Sequence, residues 1–443
     1  DDAYNYDLTG NILQIISSKN GCGVGGTDSL TREFSYDPLY RVTSATGREN
    51  VPSGSYPFPG WNDTNRSTDP NSTTAYTRKY QYDKVGNIER LRQIGSHSFT
   101  RDFNYPESAG IKDNNKLSSI DIGNDSYQYT YDQVGSQKTV NTERKFGWDA
   151  ANRLLFYKNQ VGSNEPTVEA QYLYDASGNR VKKIVRKQGG GYEIRVYIDG
   201  IFEYFTDETE EQNTVHIMDD QSRIASGRIG ASMGDSTPAV KYTLENNIGS
   251  SVVTLDDSGA VVNEQEYYPF GETSFGSYAK KRYQYTGKER DEESGLYYYG
   301  ARYYAAWTCR FTSVDPLAGK YAQLSPYNYA DNNPVNDYDI DGQQNNNSSE
   351  SQSGGNGSGS GNSNQTNNTT QDTQLHTVKS GETLGGIAKK YGTKVDKLYK
   401  NNPNLPSDPT DLQVGTKINV KKSNLTTTDN LTMPTTDPDA TLV

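Results

Sequence analysis

One residue pattern recurs between Tyr6 and Asn179 and constrains the fold more than any other feature of the chain. An aromatic residue is followed by Asp, two further residues, Gly or a polar equivalent, and then Asn or Arg. The full and degenerate copies are Tyr6-Asp7 with Gly10-Asn11, Tyr36-Asp37 with Tyr40-Arg41, Tyr82-Asp83 with Gly86-Asn87, Tyr131-Asp132 with Gly135-Ser136, Trp148-Asp149 with Asn152-Arg153, and Tyr174-Asp175 with Gly178-Asn179. Aspartate at the first position of a type I turn accepts backbone N–H bonds, and Gly at the fourth position adopts the positive φ that closes the turn. Each copy therefore predicts a strand, a turn and a second strand.

The residues around these turns predict one continuous, mainly antiparallel β-sheet. The aromatic residue before each turn and the aliphatic residues after it, such as Ile12, Leu13, Ile88 and Leu154, are expected to line one face. A single repeat cannot bury that face alone, so neighbouring repeats must cover it. We therefore interpret the Tyr-Asp pairs as scaffold and not as catalytic acids or metal ligands.

The low hydrophobic content and high net charge of the chain at first argue against a folded β protein. The 443 residues are 32% hydrophobic, with mean hydropathy −0.91 and net charge −12, values that are typical of disorder. However, 35 residues are tyrosines, and each buried aromatic ring hides about 150–250 Å² of surface. The sequence therefore predicts a core built largely from tyrosine, whose hydroxyl can stay hydrated or hydrogen-bonded.

Charge and cysteine content exclude several classes of site. The acidic balance offers no basic stripe for phosphates, so we expect no nucleic-acid partner. No apolar run is long enough to span a bilayer. Cys22 and Cys309 cannot build a disulfide framework or a four-ligand zinc site, and we expect no cofactor and no metal. Because the chain opens inside a repeat, we expect it to be the C-terminal piece of a longer protein.

The densest local signal is the segment from Tyr283 to Asp315. A β-prone start is followed by the charged stretch Gly287 to Gly295, and the stretch Leu296 to Tyr304 then carries five tyrosines. These features predict a hairpin with an aromatic face, on which Arg302 stacks. Residue chemistry alone favours an ordinary hairpin of this kind.

The order of residues in that segment adds a family resemblance. The run YTGKERDEESGLYYYGARYY, followed by CRFTSVDP, resembles the core of the Rhs/YD-repeat family. The lead-in from Tyr242, YTLENNIGSSVVTLDDSGAVVNEQEYYPFGE, and the later run YNYADNNPVNDYDIDG extend the resemblance to about Gly342. It implies a spiral of β-strands that winds into a shell and is capped at one end by the core. We assign residues 1–240 to the repeats and residues 241–342 to the core.

The resemblance also implies self-cleavage, in which two aspartates act as in an aspartic protease and cut the chain after the core. By position, Asp315 in SVDP matches the first aspartate, and Asp331 in YADNNPVN is the nearest candidate for the second. The cut would fall between Gly342 and Gln343. This chain departs from the family pattern there, since Ile340 replaces a proline and Gln343 a leucine, and Ala305-Ala306 replaces Asp-Pro. A purely structural Asp315 stays as the alternative.

The same stretch has a competing interpretation as a calcium loop. Asp337, Asp339, Asp341 and Gly342 match the opening D-x-D-x-D-G. Position twelve of such a loop is Ser348 in place of Glu, which weakens the match.

The C-terminal quarter of the chain changes character twice. Residues 343–373 are dominated by Asn, Ser, Gly, Gln and Thr and are predicted to be a flexible linker. Residues 374–422 predict a β-α-α-β unit, and residues 423–443 a disordered tail. The predicted unit has strands around His376 to Val378 and through Leu412, Val414, Ile418 and Val420; its helices contain Leu384, Ile387, Ala388 and Tyr391, then Val395 and Leu398.

This unit resembles a LysM module, through GETL, the IA-Y-G-T run, the Asn-Asn-Pro step and the final L-x-x-G-x-x-I. LysM modules bind glycans that contain N-acetylglucosamine, such as peptidoglycan or chitin, in a shallow groove between two loops. Carried onto this chain, the groove residues are Gly381, Glu382, Thr383, Leu384, Asn402, Pro403, Asn404 and Leu405. A role in holding the fold is the alternative for these residues.

Three functions from different classes follow. The favoured one is a secreted or surface-exposed bacterial Rhs-type shell whose LysM module binds cell-wall glycan, for attachment or for delivery of an effector. The second is a self-cleaving core that releases its C-terminal segment. The third is a polymorphic toxin, which is weakened because the C-terminal segment matches a binding module and lacks a nuclease or transferase constellation.

Overall fold

The chain forms two compact units, Asp1–Gly355 and Asn356–Val443. The computed structural model describes residues 2–50, 60–62, 66–219, 222–230, 237–276, 281–321, 323–343, 345–347, 373–378, 384, 387, 398–399, 402, 405 and 416–421. None of the helices in these ranges is both long enough and apolar enough to cross a membrane.

The first unit is built from a 22-stranded sheet, and one separate two-stranded hairpin lies within the same run of the chain. The strands in chain order are Asp2–Tyr6 (β1), Ile12–Ser18 (β2), Ser29–Tyr36 (β3), Val42–Glu49 (β4), Thr74–Tyr82 (β5), Ile88–Ile94 (β6), Phe99–Asn104 (β7), Glu107–Ser108 (β8), Ile111–Lys112 (β9), Ser119–Ile122 (β10), Asp125–Tyr131 (β11), Gln137–Val140 (β12), Arg144–Trp148 (β13), Leu154–Asn159 (β14), Val168–Tyr174 (β15), Arg180–Lys187 (β16), Tyr192–Ile198 (β17), Phe202–Asp207 (β18), Glu211–Asp219 (β19), Ser222–Ile229 (β20), Val240–Glu245 (β21), Ser251–Leu255 (β22), Val261–Tyr267 (β23) and Thr273–Gly276 (β24).

The sheet is a meander in which each strand pairs antiparallel with the next one along the chain. The short β8–β9 hairpin is an excursion, since β7 pairs directly with β10. The same antiparallel order continues to β24. The predicted fold class, a mainly antiparallel β-shell, is confirmed.

Each Tyr-Asp turn has the predicted hydrogen bonds. In the first copy, Asp7 Oδ1 accepts the backbone N–H groups of Thr9 at 2.8 Å and Asn11 at 2.9 Å, and Gly10 has φ +93°. The strand register shifts by one residue at the repeat aromatic in β1, β3, β5, β11, β13 and β15. Such a bulge re-aims the side chain next to it, and the repeat aromatics use this to reach the neighbouring repeat.

Four repeat aromatics connect successive repeats, through a tyrosine hydroxyl or the tryptophan indole N–H. The Tyr36 hydroxyl donates to the carbonyl of Ile12 at 2.7 Å, and the Tyr82 hydroxyl donates to that of Val42 at 2.7 Å. Tyr174 and Trp148 make the same kind of bond, to Leu154 and Gln137. In each case the acceptor is the first residue after the turn of the preceding copy. We call this contact the inter-repeat bond.

Arginine at the last position of a turn adds a second connection. Arg41 Nη1 donates to the carbonyl of Asp83 at 2.8 Å, and Arg153 Nη1 donates to that of Asp175 at 3.3 Å. The acceptor in both cases belongs to the next repeat. Neighbouring turns are therefore held to each other in both chain directions.

The large sheet curls so that its last strand reaches an early one. The backbone N–H of Asn50, which follows β4, donates to the carbonyl of Ser274 in β24 at 2.9 Å. Beside this contact, Glu272 lies between Arg78 of β5 and Arg101 of β7, with Oε2–Nη1 and Oε1–Nη2 distances of 2.7 and 2.8 Å. These ion pairs lie in the interior, since both arginines have no exposed surface and Glu272 is 7% exposed.

We use the name core segment for residues 281–342, the later part of the predicted core 241–342. This segment packs against the buried face and the turns of the sheet. Its short strands are Glu289–Arg290 (β25), Tyr297–Tyr298 (β26), Tyr303–Ala305 (β27) and Arg310–Phe311 (β28), which form one sheet, and Asp337–Asp339 (β29), which pairs with Asn345–Asn347 (β30). Its 3-10 helices are Tyr285–Gly287, Ala306–Thr308, Ala318–Lys320 and Ala330–Asn332, and others in this unit are Val24–Gly26, Gly60–Asn62 and Pro70–Ser72.

The long hairpin predicted for this segment is wrong in detail. The stretch from Leu296 to Tyr304 does not form one strand, because Gly300 has φ +91° and separates β26 from β27. The tyrosines nevertheless behave as predicted, since Tyr297, Tyr299, Tyr303 and Tyr304 are all buried in the main core. Their rings meet those of Phe311 and other core aromatics.

The core segment touches repeats from across the sheet. Asn336 Oδ1 accepts the backbone N–H of Ile12 at 2.8 Å, and Asn332 Nδ2 donates to the carbonyl of Gly86 at 2.8 Å. Further along, Arg180 of β16 pairs with Glu289 and Asp291 at 2.7 Å each. The segment thus fills the interior of the curled sheet as well as contacting its turns.

The second unit has its own small core. Strands Thr373–Thr377 (β31) and Lys417–Lys421 (β32) pair antiparallel, with His376 opposite Ile418. Leu384, Ile387, Leu398 and Tyr399 have helical backbone. The buried cluster contains Val378, Leu384, Ile387, Leu398, Leu405, Ile418 and Val420. The predicted positions Ala388, Tyr391, Val395, Leu412 and Val414 lie outside the described residues.

Candidate functional site

Arg302 is the centre of a buried polar site in the core segment. It lies just before β27, is 2% exposed, and its guanidinium carbon stacks 3.7 Å from the ring centroid of Phe311. Its Nη2 lies 2.9 Å from Asp315 Oδ2 and 3.3 Å from Asp339 Oδ2. A buried guanidinium needs such partners, because an uncompensated charge in the interior is costly.

Asp315 is held in place by the turn that it begins. Its backbone N–H donates to the carbonyl of Pro326 at 2.9 Å, and its Oδ1 accepts the N–H of Leu317 at 2.6 Å. The side chain is 16% exposed, so one edge of the carboxylate reaches solvent while Oδ2 faces Arg302. This position would let Asp315 contact a water molecule and the arginine together.

Asp339 is more deeply buried, at 1% exposed. Its Oδ1 accepts the backbone N–H groups of Gly342 at 2.7 Å and Asp341 at 3.1 Å. Burial raises the pKa of the Asp339 carboxyl, and the nearby Arg302 only partly offsets this effect. Asp315, which is 16% exposed, and Asp339, which is 1% exposed, therefore occupy different environments around one guanidinium.

The peptide bond predicted to be cut lies directly at this site. The carbonyl oxygen of Gly342 accepts a hydrogen bond from Arg302 Nε. The N–H of Gln343, on the other side of the same bond, donates to Asp341 Oδ1 at 2.9 Å. Gly342 has φ +82°, and a Cβ at this position would lie 2.9 Å from the backbone nitrogen of Arg302. Only glycine fits this close approach.

The structure therefore brings together Asp315, Gly342 and Gln343, but gives Asp315 a different partner from the predicted one. The carboxylate that shares Arg302 with Asp315 belongs to Asp339 and not to Asp331. Asp331 lies in the 3-10 helix Ala330–Asn332 with φ +49°, where the neighbouring Asn332 contacts a repeat turn. The sequence signal for Asp339 was present in D-x-D-x-D-G.

That pattern does not produce a calcium loop in the described structure. Asp339 faces Arg302, and its Oδ1 is occupied by two backbone N–H groups. Within the ranges that are described, no group of three or more His, Cys, Asp or Glu side chains is arranged to hold a metal ion. In addition, Asn345–Asn347 forms β30 and pairs with β29, so the predicted linker overlaps a hairpin.

A cavity of about 660 Å³ lies on the inner side of strands β16 to β23. Charged residues of both signs line it, and two of the lining cations pair with carboxylates beside the cavity: Lys183 Nζ lies 2.7 Å from Asp291 Oδ1, and Arg282 contacts Glu203 and Glu289. Burial lowers the pKa of Lys281, at the same wall, to about 7. These pairs hold the core segment to the sheet.

The second unit contains the predicted glycan-binding residues, of which three are described. Leu384 and Leu405 are part of the small core, and Asn402 is 9% exposed. Asn402 Nδ2 donates to the carbonyl of Leu398 at 2.8 Å, which fixes the end of the second helical segment. Gly381, Glu382, Thr383, Pro403 and Asn404 lie outside the described residues. Leu384, Asn402 and Leu405 therefore stabilise the fold of this unit.

Comparison with known proteins finds relatives over most of the chain and a family match near its C-terminus. Toxin subunits YenC1 and YenC2 of Yersinia entomophaga are 29% and 28% identical to this chain over 371 and 369 residues, 76% of the chain in each case. This chain covers 36% and 37% of their lengths, so it spans about a third of these relatives. A crystal structure of TcdB2-TccC3 superposes with a TM-score of 0.65 at 26% identity, covering 77% of this chain and 17% of that one. Residues 376–421 match the LysM domain model, and this part of the second unit is therefore a LysM domain.

Proposed function

We propose that this chain is part of a secreted bacterial toxin-delivery protein of the Rhs/YD-repeat type. Its first unit supplies shell and core, and its LysM domain binds a glycan that contains N-acetylglucosamine. The observation that carries the delivery role is the similarity to toxin subunits over 76% of the chain. We keep the domain assignment that the sequence predicts: repeats in 1–240, core in 241–342, linker in 343–373, LysM domain in 374–422 and tail in 423–443.

Glycan binding is supported by the match of residues 376–421 to the LysM model. An acetamido sugar is neutral, so its recognition needs backbone groups and an apolar floor more than a charge partner. Of the predicted groove residues Gly381 to Leu384 and Asn402 to Leu405, Leu384 and Leu405 belong to the small buried cluster. The domain would attach the shell to peptidoglycan or chitin-like material.

A sedimentation assay with insoluble peptidoglycan tests this role. The full chain is compared with a chain that ends at Gly355, the boundary of the first unit. We expect the full chain to pellet with the glycan and to be released by soluble N-acetylglucosamine oligomers, while the shortened chain stays in the supernatant. Equal pelleting of the two chains would refute glycan binding by the LysM domain.

A second function, self-cleavage between Gly342 and Gln343, is favoured by one specific observation. The carbonyl of that bond already accepts a hydrogen bond from Arg302, which also faces Asp315 and Asp339. A guanidinium in this position stabilises the negative charge that develops on a carbonyl oxygen during attack. The two carboxyl groups then supply the proton transfers that hydrolysis needs.

The reaction would be a simple hydrolysis. Asp315 takes a proton from a water molecule, whose oxygen attacks the carbonyl carbon of Gly342. The bond to the Gln343 nitrogen then breaks, and the proton taken from water passes through the carboxyl pair to the leaving amine. The products are a carboxylate at Gly342 and an amine at Gln343, and no other reactant is required.

Denaturing gels and intact-mass measurement test this reaction. Denaturing conditions are needed because β30 would otherwise stay paired with β29 after a cut. We expect the wild type to give fragments 1–342 and 343–443, Asp315→Asn and Asp339→Asn to stay intact, and the control Asp331→Asn to be cut like the wild type. An intact wild type would rule out self-cleavage, and an intact Asp331→Asn would refute the choice of Asp339.

A further inference from the structure

Three successive carbonyl groups before the proposed cut are each held by the core segment. The carbonyl of Ile340 accepts a hydrogen bond from Lys288 Nζ. The carbonyl of Asp341 accepts one from the backbone N–H of Ala301 at 2.9 Å, and that of Gly342 accepts one from Arg302 Nε. The peptide is therefore held along its length and not only at the bond to be broken.

The three donors differ in what they need from the sequence. The Ala301 donor is a backbone group, and its approach depends on Gly300, where a Cβ would lie 3.0 Å from the carbonyl oxygen of Asp341. Arg302 is already part of the candidate site. Lys288 is the remaining side chain, and nothing in the proposed hydrolysis uses it directly.

Lys288 is built into its position. It follows the 3-10 helix Tyr285–Gly287, and its backbone N–H and carbonyl bond to Tyr285 at 3.1 Å and Gln284 at 3.0 Å. The side chain then passes the ring of Tyr299, with Nζ 5.5 Å from the ring centroid. Burial lowers the pKa of Lys288, while the charges of nearby Asp339 and Asp341 oppose that shift.

The ammonium group of Lys288 lies close to the proposed cut. It is partly buried, and its hydrogen bond goes to a backbone carbonyl two residues before the proposed cut. A carbonyl bonded to an ammonium is held more strongly than one bonded to a neutral donor. In a reaction within one chain, such an anchor sets the geometry of the reacting bond, where a displacement of about 1 Å can cost about 100-fold in rate.

We propose that Lys288 is a positioning residue for cleavage at Gly342–Gln343. It fixes the Ile340 carbonyl, so that the Gly342 carbonyl stays on Arg302 and between the two carboxyl groups. This inference rests on the self-cleavage proposed above. Lys288 does not touch the reacting atoms, and its effect passes through the backbone from Ile340 to Gly342.

The test follows the rate of cleavage in newly made protein. Wild type, Lys288→Met, Lys288→Arg and the control Lys320→Met are made by cell-free synthesis, and the cut fraction is followed on denaturing gels. Lys320 is a matched control because it is an exposed lysine of the same core segment. We expect Lys288→Met to be cut at least about tenfold more slowly, Lys288→Arg to recover most of the rate, and Lys320→Met to match the wild type.

A second measurement separates positioning from loss of stability. In the uncut Asp315→Asn background, Lys288→Met should raise hydrogen exchange in a peptide covering residues 339–343, while exchange in the repeat strands and the melting temperature stay unchanged. Lys320→Met should change neither. Slower cleavage without faster local exchange would overturn the positioning role.

The outcomes distinguish this inference from the function on which it rests. If the wild type is cut and Lys288→Met is cut at the same rate, Lys288 is not a positioning residue, while self-cleavage stands. If the wild type stays intact, self-cleavage itself fails and the inference fails with it. Failure of Lys288→Arg to recover the rate would also count against an anchoring hydrogen bond.

Discussion

Replacing Glu272 with Gln should weaken the first unit more than any ordinary surface change. Glu272 lies between Arg78 and Arg101 in the interior of the curled sheet, and Arg101 also donates to the carbonyl of Trp307 at 2.9 Å. The change keeps the size of the side chain but removes its charge. It leaves two buried guanidinium groups without their shared carboxylate.

Two independent arguments give the size of the effect. Burial alone would raise the pKa of Glu272, but Arg101 and Arg78 outweigh it and lower the pKa from 4.5 to about 2. At about 1.4 kcal/mol for each tenfold change in proton affinity, this shift corresponds to about 3 kcal/mol of stability at neutral pH. Removal of one partner from a buried ion pair typically costs about 3–5 kcal/mol, so the two arguments agree.

The pH dependence follows from the direction of the shift. Because the pKa is lower in the folded state, the stabilisation is complete above the unfolded value of 4.5 and is lost as the pH falls towards about 2. The difference in free energy of unfolding between wild type and Glu272→Gln should therefore shrink to about half or less of its neutral value at pH 3.

Urea unfolding followed by tryptophan fluorescence measures this difference in the full chain. Trp61, Trp148 and Trp307 all lie in the first unit, so the signal does not report on the LysM domain. The control is Glu89→Gln, whose ion pair with Lys112 is half exposed and should contribute less than about 1 kcal/mol. The reasoning fails if Glu272→Gln costs no more than Glu89→Gln, or if its cost is the same at pH 3 and pH 7.

Further predictions concern the repeats and the thiols. Gly178→Ala should destabilise the first unit by about 1 kcal/mol in urea unfolding, because φ is +89° although no atom lies within 4 Å of the new methyl group; no loss would refute the strain argument. Tyr82→Phe should cost about 1 kcal/mol through loss of its inter-repeat bond, and an unchanged midpoint would contradict that bond. Cys22 and Cys309 are both buried, and burial raises the pKa of Cys309 to about 12, so a thiol reagent should label neither until the protein is denatured; rapid labelling of native protein would contradict this burial.

The repeat turns were predictable because their cause is local. The carboxylate of Asp7 bonds to N–H groups two and four residues later, so the spacing alone defines the turn. The inter-repeat bonds were not predictable in the same way. Whether Tyr36 reaches the carbonyl of Ile12 depends on strand pairing and on a register shift that no single repeat contains. Leu13, predicted to face the core, is 38% exposed, because successive residues of a strand face opposite sides of the sheet and Ile12 takes the buried side.

The candidate site shows a similar division. Asp315 and Gly342 could be placed from their motifs, but the choice between Asp331 and Asp339 depends on how the chain returns to Arg302. Strand β29 brings Asp339 to the guanidinium, while Asp331 lies in a separate 3-10 helix. Sequence distance from Asp315 favours Asp331, and only the fold shows that Asp339 is the carboxylate beside Arg302.

The inter-repeat bond has a consequence for how such a chain can change in evolution. In four joints between repeats, an aromatic donor uses the carbonyl just after the turn of the preceding copy. These bonds are nearest-neighbour contacts. Duplication or deletion of a whole repeat leaves each remaining inter-repeat bond with its donor and its acceptor. A partial deletion would leave one of the two groups without its partner. We therefore expect related chains to differ in length by whole repeats. The interior of the curled sheet should then grow or shrink by one repeat at a time.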